Sequence, residues 1–68
     1  MKKWLLSYKY KMNPRTWTTR SVVIFAVQKL TRSVAHRLAL DDLNKNVIDH
    51  THGQNGYYAL HVTSVARA

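Results

Sequence analysis

Two sets of side chains in this sequence could do chemistry, and the denser set is a metal-binding pattern. Asp49, His50 and His52 fall within four residues, and transition metals accept both imidazole and carboxylate ligands. A structural metal site commonly has four ligands, so His36 or His61 would have to approach from distant parts of the chain. We therefore predict no metal and no cofactor, and His50 and His52 are the candidate ligands if a metal binds.

Side chains suited to catalysis are sparse. The chain has no glutamate, and the adjacent Asp41 and Asp42 would face about 100° apart on a helix, which keeps them from sharing one substrate atom. No nucleophile has a recognisable setting. The sequence therefore predicts a non-enzymatic protein. A small basic hydrolase that uses His50 or His52 as its acid or base is the alternative.

The second set of side chains is cationic. The 68 residues carry eleven Lys and Arg against three Asp and Glu, a formal charge of +8. Six of these cations, and no acid, lie in the first twenty residues. Such a cluster favours phosphate groups, because each neutralised phosphate releases a counterion, and a neighbouring aromatic ring can stack on an unpaired base. The candidate binding residues are Lys3, Lys9, Lys11, Arg15, Trp17 and Arg20.

The alternation of residue types predicts the elements that must position these side chains. Every second residue from Trp4 to Tyr10 is apolar or aromatic, which is typical of a strand with one buried face. β-Branched and aromatic residues predict a second strand, and Thr31 or Ser33 is a suitable helix N-cap. The predicted elements are strands at 3–11 and 16–27, a helix at 31–46, a loop at 47–56 and a strand at 57–65.

This order of elements predicts a single small α+β domain of ββαβ type. We expect a three-stranded antiparallel or mixed sheet, with the first strand in the middle and one helix packed on one face. Lys3, Lys9 and Lys11 would then lie on the uncovered face, and we expect Arg20 to join them. A single long helix over residues 21–46 is the alternative, which the β-branched residues in its first turn disfavour.

The uncovered face could also serve a second copy of the chain. A domain of this size buries only about 60% of the surface that its unfolded chain exposes, and no cysteine is present to form a disulfide. We expect Leu5, Val22 and Ile24 on the uncovered face, where they could form a two-fold homodimer contact. A solvated lysine surface that only prevents aggregation is a further alternative.

The sequence predicts a cytoplasmic protein that does not enter a membrane. Its longest unbroken apolar run, residues 22–27, has six residues, whereas a membrane-spanning helix needs about 20. The signal-peptide-like start is interrupted by Lys9 and Lys11 before an apolar region can form.

Several features together resemble one group of small proteins. They are the aromatic strand at 4–10, the Lys-Leu-Thr step at 29–31, the glycine-containing loop at 53–56 and the strand at 61–65. This pattern resembles small ββαβ proteins encoded by bacteriophages and other mobile elements. The resemblance implies an accessory protein that binds nucleic acid, a nucleoprotein or host machinery. The alternative is a dimeric inhibitor or adaptor that docks on an acidic host protein surface.

Overall fold

Three strands and one helix make up the part of the chain that the computed structural model describes, residues 1–48 and 57–68. They are β1 (Lys2–Lys11), β2 (Thr18–Ala26), α1 (Arg32–Asn46) and β3 (Ala59–Arg67). The sheet order is β2-β1-β3, and both pairs of neighbours are antiparallel. The predicted ββαβ fold with a central first strand is confirmed. The alternative helix over residues 21–46 is wrong, because β2 occupies its first part.

The alternation in β1 gives the sheet two different faces. Trp4, Leu6 and Tyr8 are buried, with at most 7% of each residue exposed, and they lie on the covered face, towards α1. Lys9 and Leu5 belong to the other set of alternating residues and lie on the open face. The main core lies between the covered face and the helix, so the open face has no second layer of described residues.

The helix begins where the sequence predicts it to begin. Thr31 is the N-cap, and its side-chain oxygen accepts a hydrogen bond from the Val34 amide at 3.4 Å. Ala35 and Ala39 lie one turn apart and are almost fully buried, so their small side chains let α1 lie close to the sheet. Within the described ranges, no helix is long and apolar enough to span a membrane.

The facing of β2 differs from the prediction. Val22 and Ile24 pair with the buried residues of β1, so they lie half-buried on the covered face. Val23 and Phe25 lie on the open face, 44% and 60% exposed. The expectation that Val22, Ile24 and Arg20 line the open face is therefore wrong. Because β2 is apolar on both sides, its pattern could not decide which side the helix covers.

A bulge adjusts β3 to the core. Ser7 pairs with Ser64, but the next residue of β1 pairs with Val62, which leaves Thr63 without a counterpart. The Thr63 hydroxyl donates a hydrogen bond to the Ser7 carbonyl at 3.1 Å. The extra residue shifts the alternation, so both Val62 and Val65 pack against the core.

Candidate functional site

An exposed indole ring lies among cations on the open face. Trp17 immediately precedes β2 and is 40% exposed. The Nζ atoms of Lys9 and Lys11 lie 4.6 Å and 4.5 Å from the centre of its ring. The His61 ring also lies beside it, with 5.6 Å between the ring centres of His61 and Trp17. We call these four residues the Trp17 cluster.

The register of the sheet brings the Trp17 cluster together. Lys9 and Lys11 are two residues apart on β1, so they point to the same side. Lys9 pairs with His61 of β3 on one side and with Thr19 of β2 on the other. Trp17 precedes Thr19 by two residues and meets the lysines on the same face. The cluster therefore draws on both sides of the central strand.

The link between β1 and β2 is held by a side chain. The side-chain oxygen Oδ1 of Asn13 accepts hydrogen bonds from the backbone amides of Arg15 at 2.9 Å and Thr16 at 3.2 Å. This Asx-type turn fixes the chain just before Trp17. The predicted binding residue Arg15 is exposed in this link, two residues before Trp17, and lies outside the cluster as we define it.

The opposite end of the open face is apolar. Leu5, Val23 and Phe25 are 38%, 44% and 60% exposed there, and we call them the apolar end. Lys3 pairs with Phe25 and is exposed among them. It is six residues from Lys9, about 20 Å along an extended strand. Lys3 therefore lies on the predicted face but away from the other two lysines.

Arg20 lies on the covered face, against the prediction, where it meets a buried carboxylate. Its Nε donates to Oδ2 of Asp42 at 2.6 Å. The Tyr8 hydroxyl donates to the same oxygen at 2.5 Å, and the Asn46 amide donates to Oδ1 at 2.7 Å. We call these four residues the Asp42 network. Arg20 pairs with Tyr8 across the strands, which explains why it reaches the helix and not the lysines.

Ionisation in the Asp42 network is set by burial and hydrogen bonds. Burial alone would raise the pKa of Asp42, but hydrogen bonds from Arg20, Tyr8 and Asn46 outweigh it and lower that pKa below its usual value. Burial, together with the bond to Asp42, raises the pKa of Tyr8. The hydrogen bond to Asp42 also raises the pKa of Arg20. The network thus holds one anion and one cation at neutral pH.

The Trp17 cluster has no such carboxylate. Within residues 1–48 and 57–68 the acidic side chains are Asp41 and Asp42, and both belong to α1. The open face of the described sheet therefore carries cations without an acidic side chain. Within the described part of the chain, the Lys9 and Lys11 ammonium groups contact the indole face, and a cation–π contact at an exposed site contributes about 0.5–1 kcal/mol. Such weak contacts leave both ammonium groups available to a stronger anionic partner.

His61 is the member of the Trp17 cluster that sequence reasoning did not place there. The alternation in the last strand already put it opposite Leu60 and Val62, which is the signal that could have found it. The metal candidates His50 and His52 lie outside the described residues, so that part of the prediction stays a prediction. In the described part of the chain, no three His or acidic side chains are close enough to hold a metal ion.

A cavity of about 240 Å³ opens beside the start of α1. Ala35, Val62 and Val65 give it an apolar floor, and Lys29 and Arg32 stand at its rim. No member of the Trp17 cluster lines it. The cluster is thus a feature of the open sheet surface, which suits an extended partner better than an enclosed small molecule.

No protein-family model, no curated protein and no solved structure matches the chain.

Proposed function

We propose that this chain is a non-enzymatic nucleic-acid-binding protein, and that the Trp17 cluster is its contact surface. The observation that carries the proposal is an exposed indole ring with two ammonium groups within 4.6 Å of its centre. The surrounding sheet surface has no acidic side chain among the described residues. Phosphate oxygens would supply the missing anions, and a base would supply a partner for the ring.

The placement of Arg20 supports the division of charge on which the proposal depends. Its guanidinium forms an ion pair with Asp42 on the covered face, so it is not available to a partner on the open face. Lys9 and Lys11 are nearest the ring. Lys3 and Arg15 also belong to the first twenty residues but lie outside the Trp17 cluster. Contacts of Lys9, Lys11 and Arg15 with three phosphates of a single nucleic-acid strand would give a salt slope of about −2 in a plot of log affinity against log salt concentration.

The contacts of Asp42 favour an accessory role over catalysis. Asp42 is the buried carboxylate of the described chain, and three donors already occupy it. It therefore stabilises the fold and is not poised to exchange protons with a substrate. An accessory protein of the bacteriophage type, acting in the cytoplasm on nucleic acid or a nucleoprotein, is part of this proposal.

A pair of matched variants tests the proposal. Labelled oligonucleotides are titrated with protein at two or more salt concentrations, and anisotropy reports binding. We expect binding at low salt, and we expect Lys9→Gln with Lys11→Gln to flatten the salt slope by about 1.4. The control is Arg37→Gln with Lys45→Gln, which removes the same charge from exposed positions of α1. No binding by the wild type at low salt, or equal flattening by both pairs, would contradict the proposal.

The apolar end favours a second candidate, an inhibitor or adaptor that works as a homodimer and docks on an acidic host protein. Phe25 is 60% exposed beside Leu5 and Val23, and a two-fold axis could bring two such patches together. Sedimentation equilibrium over a range of concentrations tests the dimer. Wild-type association that Phe25→Ser abolishes would support this candidate, and a monomer at every concentration would remove the dimer.

A further inference from the structure

We infer that the nucleic acid is single-stranded and that an unpaired base stacks on Trp17. This inference rests on the proposed function, and it names the ligand class that the same surface would take. The juxtaposition behind it is an accessible indole face, with Lys9 and Lys11 at its surface and His61 against it.

The indole ring is held in place before any ligand arrives. Trp17 follows the Asx-type turn at Asn13 and contacts His61 of β3, with an angle of 47° between the two ring planes. The turn fixes the backbone just before Trp17, and the His61 ring restrains the indole from the β3 side of the sheet. A ring ordered in advance loses little freedom when a base stacks on it.

A base can displace the lysines from the ring. Each exposed cation–π contact corresponds to about a 2–5-fold effect on an equilibrium, whereas a base stacked on an aromatic side chain corresponds to about 5–150-fold. The two ammonium groups released from the ring face stay at its edge and can then contact phosphates of the same strand. The exchange therefore replaces two weak contacts with one stack and up to two ion pairs.

The same geometry disfavours the other polyanions. In a duplex the base faces are already stacked on one another, so an indole ring could reach only groove edges or the backbone. An acidic protein surface offers carboxylates for Lys9 and Lys11, but it offers a planar partner for Trp17 only where an aromatic or arginine side chain lies beside them. An unpaired nucleic-acid strand supplies a planar base and a phosphate at every nucleotide, so it satisfies both the ring and the cations.

Three labelled ligands of about twelve nucleotides separate these cases. They are a thymidine strand, an abasic strand with the same number of phosphates, and a blunt duplex; polyglutamate competes as a fourth polyanion. We expect the thymidine strand to bind at least about 5-fold more tightly than the abasic strand at the same salt concentration. Indole fluorescence should fall on binding of thymidine and not of the abasic strand.

Two variants locate the effect. Trp17→Leu should bring the thymidine-to-abasic affinity ratio close to one, and Trp17→Phe should keep part of the ratio. Circular dichroism verifies that both variants fold. Because Trp4 is buried, fluorescence quenching that persists in Trp17→Leu would also count against the inference.

The outcomes distinguish the inference from the proposed function. If no nucleic acid binds at low salt, both fall. If thymidine and abasic strands bind equally, or the duplex binds more tightly than thymidine, nucleic-acid binding stands and the stacking inference is overturned. If polyglutamate competes as well as the thymidine strand, the acidic-protein alternative replaces both.

Discussion

The Asp42 network and the Trp17 cluster lie on opposite faces of the same three strands and use their cations differently. In the network, the Arg20 guanidinium lies 2.6 Å from a carboxylate. In the cluster, Lys9 and Lys11 lie 4.6 Å and 4.5 Å from the centre of an aromatic ring. Leaving a buried carboxylate without its cation is strongly destabilising. A cation can leave an exposed indole face with only a small loss of free energy.

This difference determines which positive charges a partner can contact. The net charge of +8 treats all eleven cations alike, although one of them is tied to the core. Arginine suits the position beside Asp42 because its guanidinium is always charged and planar, and lysine suits the open face because its flexible ammonium can change partners. Mutations in the Asp42 network should therefore lower stability, whereas mutations in the Trp17 cluster should weaken binding.

The largest expected effect is the loss of stability in Asp42→Ala. The substitution leaves the buried Tyr8 hydroxyl without its acceptor and Arg20 without its counterion, which should cost roughly 2–3 kcal/mol. Thermal unfolding should show a Tm lower by roughly 10 °C or more. Asp41→Ala is the matched control, because it makes the same charge change at an exposed neighbouring residue. Equal loss in both variants would show that the network does not stabilise the fold.

Arg20→Gln should follow with a loss of roughly 1–2 kcal/mol, smaller because the arginine side chain is 38% exposed and water can partly replace it. Its salt slope for oligonucleotide binding should equal that of the wild type, because Arg20 faces the helix. Chemical denaturation measures the first quantity and anisotropy the second. A flatter slope without a loss of stability would place Arg20 functionally with the lysines and erase the distinction between the two faces.

The pH dependence of stability should report on the Asp42 network, because Asp42 and Tyr8 both have shifted pKa values in the fold. The pKa of Asp42 is lowered in the fold, so its contribution is complete above the ordinary aspartate pKa of about 4 and is lost as the pH falls through the lower folded value. The pKa of Tyr8 is raised, so its contribution is complete below about pH 10 and is lost as the pH rises beyond it.

Melting curves across pH measure both limits. The stability difference between the wild type and Asp42→Ala should shrink below about pH 4, and Tyr8→Phe should lose less stability than the wild type above about pH 10. Asp41→Ala again serves as the control for acid. A constant difference between the wild type and Asp42→Ala from neutral pH to well below pH 4 would show that Asp42 is not stabilised as an anion.

The sequence predicted the element order because its strongest patterns are local. The alternation from Trp4 to Tyr10 needs no knowledge of the rest of the chain, and Thr31 carries its own capping signal. Lys9, Lys11 and Trp17 were also found in advance, since two are on that strand and the third follows a turn. Local patterns thus supplied the central strand, the helix start and most of the candidate site.

What the sequence could not supply depends on contacts between distant residues. Val22 and Val23 are chemically identical neighbours, so only pairing with β1 decides which one faces the helix. Asp42 follows the buried Ala35 and Ala39 by seven and three residues, so it shares their side of α1. A carboxylate buried there needs a cationic partner, and the periodicity of the helix does not identify which one. The bulge at Thr63 has no glycine or proline beside it to announce it. These are tertiary effects, and they place Arg20 on the covered face beside Asp42 instead of in the candidate site.

The smallest expected effect comes from the apolar end and tests whether the open face has two independent halves. Val23→Thr is a nearly isosteric change on the open face, so stability should change by no more than about 0.5 kcal/mol. Val22→Thr makes the same change on the covered face, where the hydroxyl is half-buried, and should cost about 1–2 kcal/mol. Denaturation of the two variants side by side measures this contrast.

Oligonucleotide affinity decides what the contrast means. Val23 is on the half of the open face that holds Phe25 and Leu5, away from Trp17, so Val23→Thr should leave both thymidine affinity and the salt slope at wild-type values. If affinity fell as far as in Trp17→Leu, the bound thymidine strand would cross the whole open face, and the apolar end would be part of the protein surface that binds nucleic acid. Unchanged affinity leaves that end free for a second protein chain, because the Trp17 cluster then binds without it.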